Sequence, residues 1–217
     1  MASLYFNDHR RLQEEFGSVK LATLLDEKHA HDELTEDERA FIEQRDFFFL
    51  STVDPDGMPT VSYKGGPVGL VRALDGRTLA FPGFDGNGMF LSMGNIEGQG
   101  KVGLLFMDFE TPHRLRVQGV ARMLRDDPLM AGWTEAKYVV RIDVTKAWVN
   151  CPRYIHTYER KAPSRYVPRP DRPTPLAVWK RLDMVQDVIS DDDRARAERE
   201  GVIDPQTYGG KLMRGEA

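Results

Sequence analysis

Two short segments of the chain combine residue types that suit an anionic ligand. Asp85–Gly88, with the sequence DGNG, follows an apolar run and precedes apolar residues between Met89 and Ile96 whose spacing is helical. A glycine-rich turn that opens a helix leaves backbone N–H groups free to bind an anion. Earlier in the chain, Ser62–Lys64 offers hydroxyl groups and a positive charge to the same anion. The alternative is that Asn-Gly forms an ordinary type I′ hairpin turn.

Arg114 and Arg116 form a second candidate pair. They flank Leu115 in a segment with strand-like alternation, so both side chains are expected on one face of a strand. Such a pair either faces solvent or is directed at an anionic cofactor or substrate. The sequence shows no dedicated general acid or base, so we assign no catalytic residue.

Composition narrows the class of protein. The chain has 217 residues and a net charge of −4, which gives no electrostatic reason to expect nucleic acid or an anionic membrane as a partner. No apolar run is long enough to span a membrane, and the N-terminus lacks a signal-peptide layout. Cys151 is the only cysteine, so neither an intramolecular disulfide nor a multi-cysteine metal site is expected. A reducing cytoplasm is the expected location.

The elements that must position these residues are mainly short strands. Apolar runs alternate with turn signals such as Asp54–Gly57, which favours an antiparallel sheet. We predict a mainly β fold with flanking helices, in which six or seven antiparallel strands close a small barrel. The predicted strands cover 47–53, 59–64, 68–74, 78–81, 102–109, 114–124 and 137–149, with a hairpin about Asp75-Gly76 and with 102–109 buried on both faces.

The flanks are predicted to be helical or extended. Residues 9–29 form two helices broken at Gly17-Ser18, with Ser18 as a cap, and Thr35 and Glu38 form a capping box. The proline-rich segment over 151–175 is expected to be either an extended arm held against a surface or a mobile loop. After it we expect a helix over 176–189, a second helix capped by Ser190, and a loose end from Tyr208. The predicted domains are N-terminal helices over 1–45, a barrel over 46–155, and an arm with helices over 156–217.

Five sequence patterns together resemble one known family. They are SYKGG at 62–66, FPxxDGNGMFxSxGNI at 81–96, VGLLFxDF at 102–109, RLRVxG at 114–119 and NCPRY at 150–154. This set resembles the pyridoxamine 5'-phosphate oxidase-like family of FMN-binding split barrels. The resemblance implies a split β-barrel fold, FMN as the cofactor, and a homodimer with the flavin near the interface.

The resemblance also implies which residues contact the flavin. Lys64 would meet the phosphate, the backbone of Phe81-Pro82 would line the ring, and one of the two arginines would face the pyrimidine edge. Arg153 and Tyr154 would reach the site of the other subunit. The implied cofactor-binding residues are Ser62, Tyr63, Lys64, Phe81, Pro82, Asn87, Gly88, Met89, Asn95, Arg114, Arg116 and Arg153.

Several functions stay open at this point. The leading interpretation is an FMN-dependent oxidoreductase that acts on a small molecule. Relatives use deazaflavin F420 or bind heme, and the cationic arm over 160–172 suits the oligoglutamate tail of F420. A flavin-binding protein without catalytic activity is the third alternative. The C-terminal motif with which the true oxidases contact pyridoxine has no match in TYGGKLMRGEA, which argues against vitamin B6 oxidation.

Overall fold

An eight-stranded antiparallel sheet organises the computed structural model, which describes residues 3–216. The strands are β1 (Ala30–His31), β2 (Phe47–Val53), β3 (Pro59–Gly65), β4 (Arg72–Ala73), β5 (Thr78–Gly83), β6 (Lys101–Asp108), β7 (His113–Leu124) and β8 (Tyr138–Val149). Their order is β3-β2-β6-β7-β8-β5-β4, and β1 pairs with β8. The predicted mainly β fold is confirmed. The short strand β1 was not predicted, and β4 covers only part of the predicted segment 68–74.

Strand alternation gives the sheet an inner and an outer face. The inner face carries the core, in which Phe48 and Leu50 of β2 pack with Leu104 and Phe106 of β6. Residues between them, such as Leu105, point to the outer face and stay partly exposed. The prediction that 102–109 is buried on both faces is therefore wrong for the described chain, because only the inward-facing residues and Met107 are buried.

Six α-helices lie in the described residues. They are α1 (Asn7–Glu15), α2 (Val19–His29), α3 (Glu36–Glu43), α4 (Leu91–Gln99), α5 (Asp191–Glu200) and α6 (Pro205–Met213). The predicted break between α1 and α2 is confirmed, since Gly17 has a φ of 65°. Ser18 makes no capping hydrogen bond, contrary to the prediction. Thr35 and Glu38 form the predicted capping box at the start of α3. None of the helices described is both long and apolar enough to cross a membrane.

The predicted hairpin about Asp75-Gly76 is much shorter than expected. Only Arg72–Ala73 pairs with β5, and Val68–Val71 forms turns and bends. Pro67 lacks an N–H group for a ladder, and Gly69 has a φ of 77°, so the backbone leaves the sheet there. Leu70 and Val71 nevertheless reach the core from this irregular segment.

The proline-rich arm contains no helix or strand between Val149 and Val178 apart from one isolated bridge. Its first part is held against the sheet. The Tyr158 N–H donates to the Phe109 carbonyl at 3.0 Å, and Arg160 pairs with Asp46 at 3.0 Å. This agrees with the prediction of an extended arm held on a surface.

Internal contacts divide the chain into a unit that ends at Ala162 and one that begins at Pro163. The second unit contains two 3-10 helices, Val178–Arg181 and Asp183–Val185, where an amphipathic helix over 176–189 was predicted. That prediction is wrong because Ile203 forms hydrogen bonds with backbone groups of this segment that a continuous α-helix would use internally. Its carbonyl accepts the Asp183 N–H at 2.9 Å, and its N–H donates to the Arg181 carbonyl at 2.8 Å.

The other predictions for the second unit have mixed outcomes. Ser190 caps α5 through the Asp193 N–H, as predicted. The expected loose end is wrong, because Pro205–Met213 is α6. The Asp204 side chain accepts the Thr207 N–H at 2.7 Å, and proline occupies the first helical turn, which together fix the start of this helix. Ala217 lies outside the described residues.

Candidate functional site

A line of polar side chains connects α4 to the inner face of β2 and β3. The Ser62 hydroxyl lies 3.2 Å from the Ser92 hydroxyl in the first turn of α4. One turn further on, Asn95 Nδ2 donates to Thr52 Oγ1 at 3.0 Å, and Thr52 Oγ1 lies 3.0 Å from Thr60 Oγ1. These contacts fix the start of α4 against the middle of β3.

Lys64 lies on the same inner face, opposite Phe48 in the ladder. Its side chain is half-buried and makes no hydrogen bond or ion pair with the rest of the described chain. Burial lowers the pKa of the Lys64 ammonium below its ordinary value. A half-buried cation without a protein anion is a group that an anionic ligand would stabilise.

The glycine-rich segment forms a loop before the helix. The helix α4 begins at Leu91, so the prediction that Asp85–Gly88 opens it directly is wrong by a few residues. Asn87 Oδ1 accepts the Met89 N–H at 3.0 Å, and Gly88 and Phe90 have φ values of 76° and 49°. These conformations keep the loop non-helical and leave Asn87, Gly88 and Met89 exposed.

The N-terminus of α4 still has the uncapped backbone N–H groups on which the predicted anion site was based. Phe90 occupies the capping position and supplies no side-chain hydrogen bond. The N–H groups of the first helical turn therefore have no capping side chain, and they lie beside Ser92.

The remaining predicted site residues lie outside this line of polar side chains. The Tyr63 side chain points to the outer face, where it stacks on Phe47 with ring centroids 5.5 Å apart. Phe81 is a core residue whose ring centroid lies 5.1 Å from that of Phe48, and Pro82 is buried beside it. Both residues can therefore offer a ligand only backbone atoms. Arg153 is exposed beyond the end of β8.

Arg114 and Arg116 project to the same face of β7, as alternation predicted, and this is the outer face of the sheet. Arg116 pairs with Leu105 across the ladder, and Leu105 pairs with the outward-facing Phe49. Arg114 Nη2 donates to the carbonyl of Cys151 at 2.9 Å. The two arginines therefore lie on the opposite face of the sheet from Lys64.

The sequence reasoning missed Ser92, Thr52 and Thr60. Ser92 and Asn95 are three residues apart, and this spacing was a signal that both lie on one face of a helix. Within the described residues, no group of three or more His, Cys, Asp or Glu side chains is arranged to hold a metal ion.

The fold and the site define a class of protein, and comparison with known families identifies it. Residues 34–165 match the family model described as pyridoxamine 5'-phosphate oxidase, which is more than half of the chain. The chain belongs to this family, and its sheet is the antiparallel split barrel that was predicted. No curated protein matches the sequence.

Several solved structures are similar to this chain. A putative pyridoxamine 5'-phosphate oxidase from Lactobacillus delbrueckii is 24% identical over 54% of this chain and 95% of its own, with a TM-score of 0.45. An FMN-binding protein from Syntrophomonas wolfei is 16% identical over 65% and 96%, with a TM-score of 0.40. HutZ, the heme storage protein from Vibrio cholerae, is 20% identical over 54% and 94%, with a TM-score of 0.39.

Proposed function

We propose that this protein binds FMN and acts as an FMN-dependent oxidoreductase on a small molecule in the cytoplasm. The observation that carries the proposal is the half-buried ammonium of Lys64, which has no partner among residues 3–216 and lies on the strand that contacts the start of α4. Membership of the pyridoxamine 5'-phosphate oxidase family supports FMN as the ligand.

The geometry supports a phosphate at this place. Ser62 and Lys64 are two residues apart on one strand, so their side chains share a face and are separated by about 7 Å along the strand. Ser62 contacts Ser92, which brings the uncapped first turn of α4 to the same place. A phosphate bound here would meet an ammonium group, two hydroxyls and backbone N–H groups, which are the donors that phosphates prefer.

In this proposal the protein binds and orients the cofactor. FMN, when bound, supplies the electron-transfer chemistry. Lys64 neutralises the phosphate, Ser62 and Ser92 position it, and the buried backbone of Phe81-Pro82 offers a wall without polar side chains. No residue is assigned to proton transfer.

We also propose a homodimer that pairs through the β3 end of the outer face and leaves the part of that face over β7 and β8 open. Val61 and Tyr63 are exposed on β3 at the edge of the sheet, and Phe49 of β2 lies opposite Tyr63. A second copy would remove this apolar surface from water, and a symmetric pair is the commonest assembly.

The phosphate site is tested by comparing FMN with riboflavin, which lacks the phosphate. We expect FMN to bind the wild-type protein much more tightly than riboflavin does. Lys64→Gln should weaken FMN by about ten- to a hundredfold, since a hydrogen bond to a charged group contributes about 1.5–3 kcal/mol, and leave riboflavin unchanged. Lys101→Gln, at an exposed lysine of β6, is the matched control. Equal affinities for FMN and riboflavin would remove the phosphate site.

Two further measurements separate the alternatives. A heme absorbance band in the purified protein, or binding of F420 in preference to FMN, would replace the flavin assignment. Reduction of bound FMN by NAD(P)H, followed by turnover with an acceptor, separates an enzyme from a protein that only binds flavin. A flavin that no donor reduces would contradict the oxidoreductase proposal and leave FMN binding intact.

A further inference from the structure

A cleft of about 970 Å³ lies on the outer side of the sheet, away from the Lys64 site. Its floor is formed by β7 and β8, and its walls are formed by the N-terminal segment and by the chain just after β8. This volume is within the range of about 300–1,000 Å³ that small-molecule sites occupy.

The charges that line the cleft are all positive. Arg114, Arg116 and Lys146 supply these charges, and none of the residues that line the cleft is Asp or Glu. This is unusual in a chain with a net charge of −4. The nearby carboxylate of Asp26 accepts hydrogen bonds from the Ser3 hydroxyl and, at 2.9 Å, from the Leu4 N–H. It also attracts Lys146, so the two arginines carry the unbalanced positive charge of the cleft. A concave surface of one sign concentrates ligands of the opposite charge.

The two arginines have donors that the protein leaves unused. Arg114 donates through Nη2 to Cys151, but its Nε is buried and has no partner in the part of the chain that is described. Arg116 is exposed and makes no hydrogen bond or ion pair with any described residue. The Arg114 Nε is shielded from the cleft, whereas the exposed Arg116 guanidinium can bind a planar carboxylate or a phosphate through two N–H groups.

The walls of the cleft are partly aromatic and apolar. Tyr5, Phe6 and Leu25 line one side, and Trp148 pairs with Arg116 across the ladder on the floor. A flat ring would pack against these side chains while its charged group faces the guanidinium. The cleft therefore suits a molecule with both features.

We propose that this cleft is a second ligand site, which binds an aromatic anion through Arg116 and Arg114. It goes beyond the proposed flavin site, because both arginines lie on the face of the sheet opposite Lys64. The ligand class is an aromatic ring with a carboxylate or phosphate attached. Arg116 is the more exposed of the two arginines, and Arg114 is held in place by its hydrogen bond to the Cys151 carbonyl.

Salicylate is a suitable probe, and salicylamide is its uncharged control with the same ring. In isothermal titration calorimetry on the full chain, we expect salicylate to bind at least tenfold more tightly than salicylamide. Arg116→Gln should remove most of this difference. Arg122→Gln is the matched control, since Arg122 is on the same strand but pairs with Asp143 at 2.8 Å outside the cleft. Saturation with FMN should leave salicylate binding unchanged.

Several results would overturn the proposal. One is that salicylate does not bind at millimolar concentration, and another is that salicylate and salicylamide bind equally well. A third is that the Arg116→Gln variant binds salicylate as tightly as the wild type does. Displacement of salicylate by FMN with one-to-one stoichiometry would assign the cleft to the flavin and remove the second site. The flavin proposal is judged separately, by the effect of Lys64→Gln on FMN.

Discussion

Asn95 on α4 donates a 3.0 Å hydrogen bond to Thr52 on β2, and both residues are almost completely buried. This contact joins the helix to the sheet by polar atoms inside an otherwise apolar core. It holds the first turn of α4 and Ser92 near the strand that carries Lys64. The geometry of the proposed phosphate site therefore depends on a hydrogen bond that is not itself part of the site.

The first prediction concerns that bond. Thr52→Val keeps the shape of the side chain and removes its hydroxyl, so Asn95 Nδ2 loses its partner in a buried place. We expect a loss of about 1–3 kcal/mol in the free energy of unfolding, measured by urea denaturation. The double variant Thr52→Val with Asn95→Leu should lose less than the sum of the single variants, because no buried donor is then left unpaired. Strict additivity would show that the two side chains do not interact.

The second prediction uses two glycines on paired strands. Gly119 lies at a register shift between β7 and β8, and a Cβ there would be 2.6 Å from the backbone oxygen of Asp143. At Gly103 on β6, a Cβ would meet its nearest atom, Ser51 Cβ, at 3.7 Å, an ordinary contact. We expect Gly119→Ala to destabilise the protein by about 1–3 kcal/mol because the backbone must move. Gly103→Ala should have a much smaller effect, and equal losses in thermal unfolding would contradict this explanation.

The long strands could be predicted from the sequence, and the helix boundaries often could not. The β7 and β8 segments alternate between apolar and polar residues over much of their length, so local pattern and tertiary structure agree. The segment 176–189 also has helical spacing, but Ile203 captures its backbone groups. That competitor is distant in sequence, and periodicity within the segment gives no sign of it.

Strand alternation alone predicts which strand residues of the candidate site share a face of the sheet. Alternation alone puts the side chains of Ser62 and Lys64 on one face of β3 and that of Tyr63 on the other. The Ser62–Ser92 contact joins residues thirty positions apart and depends on where α4 packs. The cationic cleft was not predictable, because it requires the N-terminal segment to lie over β7 and β8.

The third prediction concerns a buried ion pair at the far end of the sheet. Arg141 donates to Asp127 at 2.5 and 3.1 Å, and the Asp127 side chain is 1% exposed. The Arg141 hydrogen bond holds the pKa of the Asp127 carboxyl below its usual range. A lowered carboxyl pKa contributes stability above the unfolded value, and this stability is lost as the pH falls through the folded value.

Asp127→Asn should therefore cost about 1.5–3 kcal/mol near neutral pH, where the carboxylate is charged in both states. The difference between variant and wild type should shrink in acid, once the folded carboxyl is protonated. Urea denaturation at neutral and acid pH measures both values. A difference that stays constant across this range would mean that the charge of Asp127 contributes no stability.

The fourth prediction concerns the proposed dimer. Val61→Arg places a charge on the exposed outer face of β3, where a second copy is proposed to pack. We expect the variant to be monomeric by light scattering at micromolar concentration, because an unpaired charge is costly in an apolar interface. Val188→Arg, at a valine that is 81% exposed, is the control and should keep the dimer. A wild-type monomer that binds FMN would refute the homodimer.

The last prediction concerns the pH dependence of FMN binding. Burial lowers the pKa of Lys64 in the free protein, and a bound phosphate would raise it by favouring the charged form. We expect FMN to bind most tightly below the pKa that Lys64 has in the free protein. The affinity should fall as the pH rises from that pKa to the pKa that Lys64 has in the FMN complex. The loss should begin at a lower pH than an ordinary lysine would give. Fluorescence titrations across alkaline pH measure it, with riboflavin as the ligand that cannot sense Lys64. Lys64→Gln should remove the dependence, and an identical profile in that variant would show that another group binds the phosphate.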